Sequence, residues 1–384
     1  MIALPGFQTL CSELVRLPSV SSENAPHDTS NRAVVELLAQ WLDGLGYACE
    51  VLPVPAKPGK VNLIAARGRG PGGLVLSGHT DTVPFDEGRW RSDPFELAER
   101  DGALVGLGIC DMKGFLAMAV QIAAEFARAE LKQPLIIVGT ADEESTMAGV
   151  RALVAAGKPK ARYAVIGEPT GLKPVRLHKG ILMDVLRVRG ASAHSSRPDL
   201  GANAIDGMHQ VLAALVEYRE HLKGHARGTD FALPYPTLNL GCIHGGDSAN
   251  RVPSLCELQV DLRFPPGFEI AALRGALRKR AAEALATPGC TLECEDLFDG
   301  IPAFETPAES ALVKACEQLT GHGAAAVDFA TEGPFLSKLV PETVILGPGD
   351  IEVAHRPDEH LPLARVEPMM KTLRGLVHRF CLGS

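Results

Sequence analysis

Residues 74–84 read LVLSGHTDTVP, and this stretch is the most informative about the fold. A short apolar run, typical of a buried strand, is followed directly by polar residues. His79 ends the run, and Asp81 follows two residues later. A metal-ligating histidine usually gives its second ring nitrogen to a carboxylate that fixes its tautomer, and Asp81 is placed for that role. A His-x-Asp pair is also typical of an ordinary solvated turn, so it indicates a metal site only in company with further ligands.

Three further apolar runs carry candidate ligands after their carboxyl ends. The runs cover residues 135–138, 163–166 and 343–346, and they are followed in order by Glu143 with Glu144, by Glu168 and by His355. In open α/β sheets, ligands bind in the crevice outside the carboxyl ends of the strands. Strands that alternate with helical segments in this way predict a doubly wound, mixed α/β sheet that is covered on both faces.

Asp111 completes the candidate ligand set, and it precedes the apolar segment 115–127, which predicts a helix. The proposed ligands are His79, Asp111, Glu144, Glu168 and His355. Imidazole with carboxylate suits zinc and its neighbours in the first transition row, whereas an all-oxygen set suits magnesium or calcium. The three carboxylates oppose the four positive charges of two divalent ions, and one bridging hydroxide makes the cluster neutral.

The neighbouring carboxylates Glu143 and Glu144 are expected to have different roles. Two metal ions that share a water lower its pKa and polarise a carbonyl oxygen, which generates a nucleophile at neutral pH. Asp111 is the expected bridge between the ions, because its side chain is short and lies at a loop-to-helix junction. Consecutive side chains diverge, so Glu143 remains free as the general base that takes a proton from the attacking water and returns it to the leaving amine.

The middle third of the chain has a different pattern, strand-helix-strand-strand-helix-strand. The predicted elements are 180–189, 203–221, 236–243, 256–264, 269–285 and 291–295. This order is the ferredoxin-like α+β signature, and the segment contains no member of the ligand set. We therefore predict an inserted domain at residues 178–294 within a discontinuous catalytic domain, residues 1–177 plus 295–384.

The composition of the chain limits which binding partners and which cellular compartment are expected. The 384 residues are 46% hydrophobic and 22% charged, with a formal net charge of −8. An acidic chain without a basic run argues against nucleic acid or an anionic membrane surface as partner. The first residues lack the pattern of a secretory signal, and no apolar run reaches the ~20 residues of a membrane span. Nine scattered cysteines fit reduced thiols, so the expected location is the cytoplasm.

Several motifs resemble the dizinc aminoacylase and carboxypeptidase family of metallopeptidases, and the similarity runs from about residue 10 to 381. They are GHTDTVPFD at 78–86, TADEE at 140–144, GEPT at 167–170 and PYPTLNLG at 234–241. The resemblance implies two zinc ions, with cobalt as an alternative. It assigns His79 and Glu168 to one ion, Glu144 and His355 to the other, Asp111 to both, Asp81 to the support of His79, and Glu143 to the base. Cys110 departs from the small residue expected before the bridging aspartate.

The resemblance also assigns roles within the inserted domain. His194 lies in a loop of small residues, and from the sequence alone an ordinary surface histidine is equally plausible. The resemblance implies that the side chain at this position enters the active site of the partner subunit, where it stabilises the oxyanion. Asn250 and Arg251 precede a predicted strand, where a structural salt bridge is the alternative to binding a substrate α-carboxylate. This assignment implies a homodimer joined through the inserted domain, which then also acts as a lid.

The expected reaction is hydrolysis of an N-acyl amino acid. The resemblance implies N-acetyl-L-ornithine as the substrate, with acetate and L-ornithine as products in arginine biosynthesis. Thr331 and Glu332 are expected to face the substrate, and Glu332 is a candidate to bind its side-chain amine. The alternatives are a succinyl-diaminopimelate desuccinylase, a broader aminoacylase and, from another class, a non-catalytic metal-binding dimer.

Overall fold

The computed structural model of the protein describes residues 4–227 and 230–383, so the predicted catalytic-domain limits at 1 and 384 lie outside the described residues. The strands are β1 Ala48–Pro53, β2 Val61–Arg67, β3 Leu74–His79, β4 Ala98–Arg100, β5 Ala103–Val105, β6 Leu135–Thr140, β7 Tyr163–Ile166, β8 Val175–His178, β9 Gly180–Arg189, β10 Thr237–Gly245, β11 Leu255–Phe264, β12 Thr291–Asp296, β13 Phe304–Glu305, β14 Ala325–Val327, β15 Glu342–Ile345 and β16 His360–Pro362. The helices are α1 Phe7–Val15, α2 Arg32–Gly44, α3 Gly114–Glu125, α4 Ala148–Ala156, α5 Ala204–Lys223, α6 Ile270–Ala284, α7 Ala311–Thr320, α8 Gly333–Leu336 and α9 Val366–Val377.

The chain divides into two compact units. The first comprises Met1–Arg176, Thr306–Ala325 and Thr331–Ser384, and the second comprises Leu177–Glu305 with Ala326–Ala330. The second unit thus begins one residue before the predicted start at 178 and continues past the predicted end at 294. The limits of an inserted functional domain stay a prediction, because compactness alone does not define one.

The first unit is built on a mixed sheet with the strand order β1-β2-β6-β3-β7-β15-β8. Four of these strands, β6, β3, β7 and β15, run parallel to one another, whereas β2 pairs antiparallel with β1 and β6, and β8 pairs antiparallel with β15. Every residue of β3 and β6 is buried, which explains why their sequences are continuous apolar runs rather than alternating ones. The predicted mixed α/β fold is confirmed.

Helix α3 is the centre of the main hydrophobic core. Its sequence GFLAMAVQIAAE is apolar on all sides, as expected of a helix that is covered all round. It contacts helices α1, α2 and α9 as well as strands β3 and β6. A separate small cluster of Val54, Ala141 and Ala148 joins helix α4 to the first unit. The sheet is therefore anchored by apolar packing close to the ends of its parallel strands.

The second unit contains a four-stranded antiparallel sheet with the order β10-β11-β9-β12. Together with helices α5 and α6 it forms the predicted ferredoxin-like order of elements. Strand β11 alternates buried and partly exposed residues as predicted, and its buried side chains join the core of this unit. Asn203 begins α5 by accepting hydrogen bonds from the amides of Ile205 and Asp206.

None of the helices in the described ranges combines the length and the apolar character that a membrane crossing requires.

Candidate metal centre

The parallel strands of the first unit bring the predicted ligands to one edge of the sheet. His79 is the last residue of β3, Glu143 and Glu144 follow β6, Glu168 follows β7, and His355 follows β15. Because β3 pairs parallel with β6 and β7, and β7 with β15, the carboxyl ends of these strands lie side by side. The strand order therefore gathers residues that are far apart in the chain.

His79 is held by both ring nitrogens. Its side chain is buried, Nδ1 donates a hydrogen bond to the carbonyl oxygen of Asp81 at 3.0 Å, and Nε2 lies 2.9 Å from Oδ1 of Asp111. Burial alone lowers the pKa of His79, but hydrogen bonding to Asp111 and the charges of Asp111, Glu168 and Asp81 outweigh it and raise the pKa well above its usual value. Nε2 is thus directed toward carboxylate groups.

Asp111 lies between two histidines. Oδ1 approaches His79 Nε2 at 2.9 Å, and Oδ2 approaches His355 Nε2 at 3.4 Å. Burial raises the pKa of Asp111, but hydrogen bonds from His355 and His79 hold it below its usual range. One carboxylate oxygen facing each histidine is the arrangement expected of a residue that bridges two ions.

The turn before Asp111 depends on a glycine. Gly108 has a φ of +75°, and a Cβ at this position would lie 2.5 Å from Cγ2 of Thr82. A side chain is excluded here by both the backbone conformation and the lack of space. The turn places the Ile109–Lys113 segment, and with it Asp111, against the end of β3.

Glu144 and His355 form the second part of the cluster. His355 Nε2 lies 3.1 Å from Oε1 of Glu144, and the His355 side chain is 49% exposed whereas that of Glu144 is 7% exposed. Hydrogen bonding to Asp111 and Glu144 raises the pKa of His355 to about 11. Burial and the charge of Asp111 raise the pKa of Glu144. His355 is thus the solvent-facing ligand candidate, and Glu144 is an interior one.

Glu143 and Glu168 form a second group of candidate ligands with His79. Ligand atoms of His79, Glu143 and Glu168 all lie within 4.8 Å of one another, as do those of His79, Asp111 and Glu144. Burial raises the pKa of Glu143 and of Glu168 well above the usual value. Oε1 of Glu168 is buried without a hydrogen-bond partner. The structure therefore brings the proposed base as close to this group of ligand atoms as the proposed ligands are.

The Asp81 carboxylate is not hydrogen-bonded to His79. Its Oδ1 lies 3.9 Å from Nδ1 and has no hydrogen-bond partner, whereas Oδ2 accepts from the amide of Glu144 at 3.3 Å. In this structure the Asp81 carbonyl, not the carboxylate, contacts His79. The orienting role of the Asp81 side chain thus stays a prediction.

The cluster has the composition of a cation site. In residues 4–227 and 230–383, the ion pairs of Asp111 and Glu144 are with histidines, and no lysine or arginine pairs with Glu143 or Glu168. Buried carboxylates need a compensating charge, and burial raises the pKa of both Glu143 and Glu168, so a bound cation would stabilise their ionised forms. Two ligand atoms bound tetrahedrally to zinc lie roughly 3.3 Å apart, close to the distances between Asp111 and the two histidines. The donor set therefore fits divalent transition-metal ions.

In the second unit, the structure brings His194 beside Asn250 and Arg251. The backbones of His194 and Arg251 form an isolated antiparallel bridge, and Ser195 N donates to Asn250 O at 3.1 Å. His194 is exposed, with Nδ1 2.7 Å from Oγ of Ser196. These residues share one surface of the second unit.

Arg251 is already partly engaged. Its guanidinium pairs with the exposed Asp247 and donates to Oγ of Ser192 at 3.0 Å, while half of the side chain remains exposed. The salt bridge considered as an alternative from the sequence is thus present. Binding of a substrate carboxylate by Arg251 stays a prediction.

Thr331 and Glu332 lie in the first unit and are both 1% exposed. Oε2 of Glu332 accepts a hydrogen bond from Oγ1 of Thr140 at 2.9 Å, and Oε1 has no partner. Burial raises the pKa of Glu332 to about 7. Thr331 Oγ1 accepts from the amide of Gly333, at the start of α8. Glu332 thus joins α8 to the end of β6, next to the strand that carries His79.

Two buried carboxylates near the site were missed in the sequence. Asp142 accepts hydrogen bonds from the hydroxyls of Ser145 and Thr146, which shapes the turn after β6. Glu359 accepts hydrogen bonds from backbone amides in the loop of Asp111. The DEE run could have indicated the role of Asp142 as a turn residue. No pattern links Glu359 to a loop so distant in the chain.

Histidines and carboxylates gathered at one edge of a mixed α/β sheet are the ligands that a metal-dependent hydrolase requires. The model of peptidase family M20/M25/M40 matches residues 75–379. The chain belongs to this family, and it is a metal-dependent amidohydrolase.

Curated relatives match the chain along its whole length. The acetylornithine deacetylase of Photorhabdus laumondii subsp. laumondii is 46% identical over 385 residues, covering 100% of this chain and 99% of that protein. The acetylornithine deacetylase of Proteus mirabilis is 45% identical over 382 residues, covering 100% and 98%. The similarity predicted from the motifs is therefore confirmed.

Solved structures share the fold at low sequence identity. A family M20 metallo-carboxypeptidase from Sulfolobus solfataricus has a TM-score of 0.74 at 18% identity, covering 97% of this chain and 99% of that chain. The Bacillus subtilis YXEP protein, a dinuclear metal-binding peptidase, has a TM-score of 0.66 at 17% identity, covering 96% and 97%. Both comparisons support the mixed α/β fold.

Proposed function

We propose that the protein hydrolyses N-acetyl-L-ornithine to acetate and L-ornithine, as a step of arginine biosynthesis in the cytoplasm. The observation that carries this proposal is the cluster of two histidines and several carboxylates at the sheet edge. It occurs in a chain that is 46% identical over its full length to a protein named acetylornithine deacetylase.

The proposed cofactor is a pair of divalent ions, zinc or alternatively cobalt. His79 and Glu168 would hold one ion, Glu144 and His355 the other, and Asp111 would contact both. When bound, the ions supply positive charge that polarises the substrate carbonyl and lowers the pKa of water. In this assignment Glu143 is not a metal ligand.

Glu143 is the proposed general base. The water oxygen forms a bond to the acetyl carbonyl carbon, and its proton passes to the Glu143 carboxylate. The carbon–nitrogen bond then breaks, and Glu143 gives this proton to the leaving nitrogen, so ornithine departs as an amine. The second proton of the water remains on the acetic acid, which ionises to acetate as the amine takes up a proton. The position of Glu143 beside His79 and Glu168 supports this role, because the base must lie near the reacting carbonyl.

The second unit is proposed to complete the site from a partner subunit. His194 would donate a hydrogen bond to the oxyanion that develops on the carbonyl, and Asn250 with Arg251 would bind the α-carboxylate. Their common surface in the second unit supports this assignment. The proposed assembly is therefore a homodimer that is joined through this unit.

Glu332, with Thr331, is proposed to recognise the substrate side-chain amine. Oε1 of Glu332 is buried without a partner, which leaves one carboxylate oxygen available to an ammonium group. Replacing Glu332 with glutamine tests this role. We expect a higher KM for N-acetylornithine and little change for an N-acetyl amino acid with an apolar side chain.

His79→Ala and Asp81→Ala are expected to fail in different ways. Removal of the His79 imidazole takes away a ligand, so we expect metal content to fall together with activity. Asp81 is not a proposed metal ligand, so its alanine variant should retain metal and show mainly a reduced kcat, by roughly 10- to 100-fold. Metal analysis alongside kcat separates these results, and equal metal loss in both variants would contradict the division of roles.

A panel of acyl amino acids tests the substrate assignment. N-acetylornithine, succinyl-diaminopimelate and acetylated apolar amino acids share the amide bond but differ at both ends. We expect the highest kcat/KM for N-acetylornithine. Faster turnover of the succinyl substrate would favour a desuccinylase, a broad profile would favour an aminoacylase, and bound metal without any turnover would favour the non-catalytic dimer.

A further inference from the structure

We propose that Glu359 is a positioning residue: its carboxylate holds the loop that carries Asp111 and thereby sets this residue between the two metal ions. The inference rests on the proposed role of Asp111 as the bridging ligand. It adds a residue that contacts neither ion nor substrate but on which the two-metal state depends.

The contacts of Glu359 with this loop are specific. Oε1 accepts hydrogen bonds from the amide of Cys110 at 2.8 Å and from the amide of Asp111 at 3.0 Å. Oε2 accepts from the amide of Gly108 at 3.0 Å. Both oxygens are therefore used, and the amide of the proposed bridging residue is among the donors.

Burial makes these hydrogen bonds important for the stability of the loop. Glu359 is 2% exposed, and it lies close enough to Asp111 for the two carboxylates to repel each other. A buried carboxylate is unfavourable unless hydrogen bonds compensate its charge. The three amides supply that compensation, so the loop and Glu359 stabilise each other in one conformation.

The backbone of Glu359 is itself anchored. Its carbonyl accepts from the amide of Gly106 at 3.1 Å, and the next residue, His360, pairs with Val105. Glu359 also follows His355 by only four positions. One short segment thus contains a proposed ligand of the second ion and the group that orients the bridging ligand.

The second ion should therefore be more sensitive to Glu359 than the first. His79 and Glu168, the proposed ligands of the first ion, are positioned by strands β3 and β7, and within the described ranges neither forms a hydrogen bond or an ion pair with Glu359. Asp111 must face both ions at once, and a small shift of its backbone affects the ion held by the more exposed His355. Loss of Glu359 contacts should weaken the pair and leave single-ion binding.

Glu359→Gln is the principal test, because it keeps the side-chain shape but its amide nitrogen cannot accept the third hydrogen bond. Glu359→Asp keeps both acceptor oxygens on a side chain one methylene shorter, and it serves as a second variant if glutamine prevents folding. Glu352→Gln is the matched control, since Glu352 is exposed in the same segment. Metal-free protein is titrated with Mn²⁺, and calorimetry is combined with electron paramagnetic resonance, which distinguishes coupled pairs from isolated ions.

We expect wild type and Glu352→Gln to bind two ions and to give the coupled signal. Glu359→Gln should bind the first ion normally and the second at least ~10-fold more weakly, with more isolated-ion signal and a kcat reduced by roughly 10- to 100-fold at little change in KM. Glu359→Asp should show the same direction. Wild-type second-ion affinity and coupling in the Glu359 variants would overturn the inference alone, whereas a wild-type protein that binds fewer than two ions would overturn the proposed metal centre as well.

Discussion

Glu143→Ala is expected to lose hydrolysis while retaining two bound metal ions. The proposed base contributes to proton transfer and to no metal bond, so the rate should fall by about 10²- to 10⁴-fold, the usual range for removal of a general acid–base group. Metal content per subunit and kcat for N-acetylornithine, measured on the same preparation, check this result. Glu143→Gln should behave similarly, because its amide occupies the same space but cannot accept the proton.

The adjacent residue is the matched control for this experiment. Glu144→Ala removes a proposed ligand, so it should lose metal as well as activity. The structure makes the comparison a strict one, since Glu143 and Glu144 each share a cluster with His79. Metal loss in Glu143→Ala would identify Glu143 as a ligand, and unchanged hydrolysis would remove it from the mechanism.

His194→Ala is expected to have the second large effect. Loss of a hydrogen-bond donor to the developing oxyanion typically lowers kcat by about 10²- to 10³-fold. Metal content should be unchanged, because His194 belongs to the second unit and the ligand candidates to the first. His322→Ala, which changes an exposed histidine of the first unit, is the control and should match wild type. Wild-type kinetics in His194→Ala would exclude the oxyanion role.

Mixing the two inactive variants tests whether His194 acts on a partner subunit. A heterodimer of Glu143→Ala and His194→Ala has one site in which both residues are intact, if His194 is supplied by the partner. After complete subunit exchange, activity should return to about a quarter of the wild-type value, because half of the dimers are mixed and each has one active site. Failure to recover activity despite demonstrated exchange would contradict action across subunits.

The gathering of the candidate ligands could be predicted because parallel strands present their carboxyl ends at one edge of the sheet. His79 ends a strand and Glu168 follows one, and both strands are short apolar runs that can be recognised in the sequence. Strand β11 of the second unit could be recognised from its alternating pattern, because one face of that strand is buried. These are local patterns, which can be recognised in a sequence without knowledge of the tertiary structure.

Other features depend on contacts that no pattern records. The strand order places β6 between β2 and β3, which periodicity does not reveal. The contact of His79 with the Asp81 carbonyl depends on the turn after β3, and a sequence shows only the carboxylate. Glu359 accepts from backbone amides some 250 positions away, and amides are present at nearly every residue. The sequence therefore indicates which side chains are candidate ligands better than it indicates which contacts position them.

The most direct test of the account is anomalous X-ray diffraction from crystals of the metal-loaded protein. We predict two anomalous peaks about 3.5–4 Å apart, with Asp111 within bonding distance of both. One peak should also contact His79 and Glu168, and the other Glu144 and His355, while Glu143 contacts neither. A single peak, or two peaks bridged by a residue other than Asp111, would contradict the proposed centre.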